Sequence, residues 1–576
     1  MYVIVTVAIL AQALLERTMS SMPSKHYQHE LVRGEKGALG HESTGLATID
    51  WNTKAVRSQT EKSLLKDFAL ALTEDGDVSL QMEAYIGDPR DGKGEKKLRL
   101  LMLMFLRNVK PKTYVTHLRR FVQDFGCLKD LSILALSLKD LNVNSFEIQL
   151  WKQIIEEAFQ DGCTFIRLVA KWIPKESSKR FKKVARVLAK AFFPTSKDAM
   201  KLYRTEIVRK LTGGNLFETK LTDGRYAEIE LDKLPAKTVL IWGRDNVVNP
   251  VWKQCKDAEK RKEMDKFHAG AFARHMSEKL NAFRAAAKDP NSKVKPKTTA
   301  LEPHVIIRTL LRNVDETCEL IFMEMIRKIA SSPVIKKSLA VADVSGSMSG
   351  EPMEVAIAFS LLIACASDED AFKDMILTFS ERPEFHNAKG ETIREKARSL
   401  SRANWGYTTN FEATFDLIME MYHKYRIPYE RQIEYLYVFT DMQWDQAQYS
   451  RGGNKETFIQ TMKKKFKAQE FKFPKIVFWN LRATTGTGFP IDISTPDMVL
   501  VSGFSIELLK AFMSGTELHP KILLEKMLAP YKSLTLDATE RGPVTDFDVE
   551  MYLKGTKVSD KEHSTMREAL LDELDE

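Results

Sequence analysis

The sequence predicts a two-part molecule, an α solenoid of HEAT-like helical repeats followed by an α/β doubly wound domain. Three observations predict it. The chain has 576 residues, too many for one core. From about residue 58 to 330, apolar residues recur at three- and four-residue spacing, the period of amphipathic helices. From residue 331, short strands with few charges alternate with amphipathic helices, as in a mainly parallel sheet covered on both faces.

In chain order, residues 1–36 form an N-terminal extension. Its first fifteen residues, MYVIVTVAILAQALL, lack a basic leading region and a small-x-small cleavage site, and they are too short to span a bilayer. A packed or poorly ordered extension is expected there, with a membrane-surface or targeting segment, or a start at Met19 or Met22, as the alternatives. The helical region runs from 37 to 330. LLKDFALAL, KKLRLLMLMFLRNV, TYVTHLRRFVQDFG, IQLWKQIIEEAF and TFIRLVAKWI are its helical segments, closed by Gly87, Gly92, Gly126, Gly162, Pro174 and Pro194. No strict repeat period is visible, so degenerate helical pairs are expected. Residues 288–298 form an exposed basic loop.

The α/β domain spans 331–534. SLAVADV, MILTF, YLYVFTD, KIVFWNL and MVLVSG are its strands. Helices are expected over 352–366, near 411–422, near 455–466 and after Ser505. Residues 535–576 are an acidic tail, expected to be partly disordered, with a last helix in MREALLDELDE.

The net charge of +9 is unevenly distributed. Residues 1–330 hold 57 Lys and Arg against 41 Asp and Glu, or +16, whereas residues 331–576 hold 30 against 37, or −7. Within the first half, residues 151–300 alone carry 33 against 18, or +15. A positive region of that size suggests a polyanionic partner, nucleic acid first, with solvated helix faces as the plain alternative. Cys127, Cys163, Cys255, Cys318 and Cys365 lie far apart with no CxxC pair, which fits thiols in a reducing compartment. No other run approaches a transmembrane span, so a soluble, cytoplasmic monomer is expected.

In a doubly wound sheet, ligands bind at the carboxyl ends of the strands, where the strand order reverses. Asp343 closes SLAVAD with Ser345 and Ser347 just after it, and their alternation projects one carboxylate and two hydroxyls toward one point, with Gly346 allowing the sharp turn. Asp441, ending YLYVFTD, adds a second carboxylate, and Thr409 or its neighbour Thr408 adds a loop hydroxyl. An oxygen-only set with few carboxylates favours a hard octahedral ion, Mg²⁺ or Mn²⁺, completed by a partner's carboxylate. Glu351, Gln443 and Asp445 are placed at its rim.

Enzymatic alternatives find no support. Gly92-Lys93-Gly94-Glu95 lacks the phosphate-loop spacing and is expected to be a turn before a helix. Gly486-Thr487-Gly488 has no helix directly after it, and His268 and His275 have no third ligand. GxSxG, HExxH and paired Cys/His arrangements are missing from the chain.

The most basic stretch is KWIPKESSKRFKKVARVLAK. On a helix taken from Ser178, Phe181, Val184, Leu188 and Phe192 share one stripe, and Lys179, Lys182, Lys183, Arg186 and Lys190 share another. Lys171, Lys175 and Arg180 flank it, and Lys201, Arg204, Arg209 and Lys210 belong to a nearby helix. Such a face contacts phosphates without reading bases, giving salt-dependent, weakly sequence-specific binding. Trp172 and Tyr203 are either stacking platforms for unpaired bases or core.

Several segments carry a family resemblance. They are Gly37-Ala38-Leu39-Gly40-His41 with Thr44-Gly45, Asp88-Pro89-Arg90-Asp91-Gly92-Lys93-Gly94-Glu95, Phe125-Gly126 with Lys129-Asp130-Leu131, and Ala170-Lys171-Trp172-Ile173-Pro174. Lys201-Leu202-Tyr203-Arg204, Phe478-Trp479-Asn480-Leu481 and Val501-Ser502-Gly503-Phe504-Ser505 complete them, over about 37–530. With these, the chain resembles the Ro autoantigen (TROVE plus von Willebrand factor A) family, in the branch found in plants and large DNA viruses. Asp343, Ser345, Ser347, Thr409 and Asp441 match the metal-ion-dependent adhesion site of von Willebrand factor A domains, whose pattern favours Thr409 over Thr408. The resemblance implies a helical ring closed by the A domain and binding small or misfolded non-coding RNA. The function expected is therefore a non-catalytic RNA-binding protein with a Mg²⁺-dependent site for a protein partner; the alternative is a protein-interaction scaffold without RNA.

Overall fold

The computed structural model describes residues 31–33, 39–161, 164–213, 216–223, 225–242, 278–289, 291–343, 345–367, 372–379, 383–402, 411–442, 458–483, 489–492, 495–510, 512 and 518–558. A small antiparallel pair opens it, β1 (Leu31–Arg33) and β2 (Leu39–His41), and His41 continues onto Phe489 of the α/β domain.

Helices then follow closely. Thr60 and Asp75 cap Glu61–Glu74 and Gly76–Gly87 with side-chain oxygens, and a proline opens Pro111–Gln123. Lys96–Val109 is apolar on all sides, and Leu98 and every residue from Leu100 to Leu106 are buried, as expected of a helix enclosed by others. Leu128–Leu136, Phe146–Asp161, Thr164–Trp172 and Lys182–Phe192 continue the array. All five expected helical segments fall on helices.

The second part is a six-stranded mixed sheet in the order β5-β4-β3-β6-β7-β8. Its strands are β3 (Ser338–Asp343), β4 (Met375–Phe379), β5 (Glu384–Asn387), β6 (Tyr435–Thr440), β7 (Lys475–Asn480) and β8 (Met498–Ser502). Neighbours pair in parallel except the edge strand β5, which runs antiparallel to β4. Alternate residues serve opposite faces. Leu339, Val341, Leu436, Val438, Ile476 and Phe478 pack on Phe415, Tyr422 and Phe466 of helices Phe411–Lys424 and Phe458–Ala468. Ala340, Ala342, Tyr437, Phe439, Val477 and Trp479 face the other way, into a core continuous with the helical half from Trp51 to Val549. Helix Glu351–Ala366 lies on that face, and helices Pro303–Arg312 and Glu316–Ala330 pack against it in turn.

Residues 535–558 depart from the expected partly disordered tail. They pack back onto the helical half: Glu540 receives hydrogen bonds from Lys112 N and Thr113 N at 2.9 Å each, and Tyr552 sits edge-on to Phe105. The last described helix is Asp546–Val558; the helix expected in MREALLDELDE lies outside the described residues, as do Cys163 and Cys255. Cys127, Cys318 and Cys365 form no disulfide among the described residues. No helix among the described residues is long and apolar enough to cross a membrane.

Candidate metal centre and nucleic-acid interface

Strand order reverses at β3, whose partners β4 and β6 lie on opposite sides, so the crevice at the carboxyl ends of β3 and β6 is the switch point. Asp343 ends β3 and Asp441 follows β6, both fully buried. Ser345 N donates to Asp343 Oδ1 at 2.9 Å, which folds the loop back over the carboxylate. The Ser345 and Ser347 hydroxyls lie 3.0 Å apart, so the alternation brings both oxygens to one place. Gly346 opens a tight 3₁₀ turn, Gly346–Met348, and the left-handed backbone of this loop falls at Gly350 (φ 92°), just before the helix.

Burial, and then the neighbouring Asp441 carboxylate, push the Asp343 carboxyl up to about 6. Two buried carboxylates of like charge are the environment that a divalent cation relieves, and the hydroxyls of Ser345 and Ser347 supply neutral oxygen donors beside them. The donor set therefore fits Mg²⁺ or Mn²⁺ held by Asp343, Asp441, Ser345 and Ser347. Among the described residues no group of three or more His, Cys, Asp and Glu is placed to hold an ion. Thr409, its alternative Thr408, Gln443 and Asp445 lie outside the described residues.

Other residues of this region had no local signal. Thr440 Oγ1 donates to Asp343 Oδ2 at 2.8 Å and orients it. Arg482, just past β7, donates from Nη1 to Ser347 O at 2.5 Å. Glu351 turns away from the loop toward the helical half: its Oε1 lies 3.2 Å from Arg57 Nη1 and 3.1 Å from His304 Nε2. Burial raises the Glu351 carboxyl, but His304, Arg57 and Arg308 outweigh it and hold the group at about 2. The turn at 92–95 precedes helix Lys96–Val109 as expected, yet its lysine is structural. Buried Lys93 donates to Asn52 O, to Ala55 O at 3.2 Å and to Ser502 Oγ at 2.6 Å, joining the C-terminal turn of helix Ala47–Lys54 to the end of β8. Gly503 at the same closure takes a positive backbone angle (φ +117°) that L side chains rarely adopt, close beside Leu508 and Lys93.

In the helical half, the basic helix is Lys182–Phe192, starting four residues later than expected. Ser178 Oγ accepts from Phe181 N across the preceding turn, which leaves Lys179 off the helix. Val184 and Leu188 are buried, Phe181 and Phe192 half-buried, and Lys182, Lys183, Arg186 and Lys190 exposed. No ion pair engages these four among the described residues, whereas Arg204 meets Glu176 at 3.5 Å and Lys210 meets Glu206 at 2.7 Å. Lys179 is exposed in the turn and Lys175 half-buried; Arg180 lies 5.5 Å from the Phe181 ring and Lys171 5.3 Å from the Trp172 ring. Tyr203 is fully buried and donates to Pro174 O at 3.1 Å, so it is core and no stacking platform. His268 and His275, and Gly486 to Gly488, lie outside the described residues.

The family described as a domain of unknown function (DUF7788) matches residues 337–534, the α/β part. Over most of its length the chain is similar to Uncharacterized protein L728 of Acanthamoeba polyphaga mimivirus, 27% identical over 518 residues, 86% of this chain and 87% of that protein. The similarity therefore reaches a large DNA virus and takes in both parts of the fold.

Proposed function

We propose that the chain is a non-catalytic, Ro-like RNA-binding protein whose helical part contacts RNA phosphates and whose α/β part is a von Willebrand factor A-type module for a protein partner. The observation that carries the RNA reading is the exposed stripe of Lys182, Lys183, Arg186 and Lys190, anchored by Val184 and Leu188 beneath and without an ion-pair partner among the described residues. Cations held together on one helix face repel each other until phosphates or counterions neutralise them. Lys171, Lys175, Lys179, Arg180 and Arg204 border the stripe, and several of them are engaged within the protein, so the four helix cations are the main phosphate contacts.

At the sheet's switch point, Asp343, Ser345, Ser347 and Asp441 would hold Mg²⁺ or Mn²⁺, which when bound would leave a coordination position for a partner's carboxylate; the family resemblance adds Thr409 to that set. The protein's own groups set the loop: Ser345 N and Thr440 Oγ1 fix the two oxygens of Asp343. Similarity to the mimivirus protein supports the large-virus branch of the resemblance.

Purified protein is expected to carry RNA, with a 260/280 nm absorbance ratio well above that of protein alone and an affinity that falls steeply with salt. Protein that is free of RNA and ignores structured and single-stranded RNA at low salt would overturn the reading. The engagement of Arg204 and Lys210 by glutamates favours one second reading, a scaffold whose two parts both bind protein. A scaffold would lose its partners with Asp343→Ala and keep them after charge reversal of Lys182 and Lys183.

A further inference from the structure

We propose that Arg482 is a second anchor of the metal centre and selects a partner that presents an Asp or Glu side chain, whose carboxylate bridges the ion and the guanidinium. The inference rests on the cation reading above. Arg482 follows the end of β7, the neighbour of β6, and so stands beside the switch-point crevice. Its Nη1 holds the carbonyl of Ser347, a residue of the ligand loop itself, at 2.5 Å. That carbonyl is the guanidinium's one hydrogen-bond partner among the described residues, and no carboxylate there pairs with it. Among the described residues the rest of the planar fork meets no acceptor, and that fork matches a carboxylate edge-on.

The base of this side chain is held from both sides. Arg482 N donates to Asn480 Oδ1 at 3.1 Å, and Asn480 Nδ2 in turn donates to Thr53 O at 2.8 Å. Ala483 N donates to Ser58 Oγ at 2.9 Å. An exposed arginine on so fixed a backbone is pre-organised, and little of its freedom remains to be lost on binding.

Charge indicates the kind of partner. Two carboxylates balance a divalent ion, the serine hydroxyls add nothing, and Arg482 adds one positive charge beside the occupied loop among the described residues. A water or a neutral hydroxyl would leave that excess unmet. A nucleic-acid backbone would meet it, but residues 331–576 carry a net −7, which opposes a ligand charged at every nucleotide. A single Asp or Glu on an otherwise neutral surface meets little of that repulsion.

The test uses the full chain with peptides that differ only at one position, Asp, Asn or phosphoserine, followed by ligand-observed NMR. The unsubstituted protein in Mg²⁺ is expected to bind the Asp peptide over the Asn peptide, and chelation with EDTA is expected to abolish this. Arg482→Ala is expected to weaken Asp-peptide binding about tenfold, and Arg482→Lys less, while Mg²⁺ still raises the thermal midpoint of both variants. Equal Asp-peptide affinity in Arg482→Ala overturns the proposal, as does a Mg²⁺ response without peptide binding, or preference for phosphoserine. A protein whose thermal midpoint ignores Mg²⁺ refutes the cation reading, and the role of Arg482 with it.

Discussion

Asp343 is where pH and the proposed cation would meet. Its carboxyl stands at about 6 in the folded chain, pushed up by burial and by Asp441, against about 3.9 unfolded. The sign follows from that difference. Without a cation, the unfolded state gives up its proton first, so this residue lowers stability as pH rises from about 4 to about 6. A cation needs the ionised form, so its stabilising effect is full above about 6 and is lost below. Millimolar Mg²⁺ is expected to raise the thermal midpoint clearly near pH 7.5 and hardly at all near pH 5; equal shifts at both would contradict the assignment. Asp343, Ser345 and Ser347 were legible in the sequence because a strand end followed by a two-residue alternation is a local pattern. Thr440, Arg482 and Lys93 were not, because their partners lie 97, 135 and 409 residues away. Only folding brings such pairs together.

Helix and strand periodicity carried the elements well where one face is buried, as in Lys96–Val109 and β6. It failed for β5, the four-residue segment EFHN, whose residues are half-buried or exposed and which pairs only at a sheet edge. Short charged edges of this kind protect a sheet against further pairing and leave no alternation to read. It also placed the start of the basic helix too early, because Ser178 closes a turn before Phe181 rather than capping a helix at that point. Acidity alone makes the segment after 535 read as a tail, yet Glu540 supplies the acceptor that the helix Pro111–Gln123 lacks at its own N-terminus. Glu540→Ala is expected to cost about 1–2 kcal/mol of stability, measured by urea denaturation, since it removes the carboxylate that caps Lys112 N and Thr113 N. An unchanged midpoint would show that water replaces it freely.

Across the whole molecule, the division into a helical half and an α/β half describes the topology but not the packing. One face of the sheet is buried in the same apolar core that runs through the helices, and Lys93, Asn480 and Ser502 close the seam with hydrogen bonds. A chain cut at residue 331 would bare Ala340, Tyr437, Phe439 and Trp479 to whatever Glu351–Ala366 leaves uncovered, so it is expected to be aggregated or poorly folded, as judged by gel filtration and near-UV circular dichroism. A monomeric, cooperatively folding fragment would instead show the α/β part to be independent. Charge, unlike packing, does divide at that point, and composition alone revealed it: +16 before residue 331 and −7 after. On the proposed function, the polyanion falls to the first part and the cation-dependent partner to the second. Ultraviolet crosslinking of RNA to the full chain, with adducts located by peptide mass spectrometry, tests that division most directly. The predicted result is adducts concentrated on peptides from 171–190 and 201–210, sharply reduced in a Lys182→Glu, Lys183→Glu variant; adducts on the strands and loops of 331–534, or none at all, would contradict it.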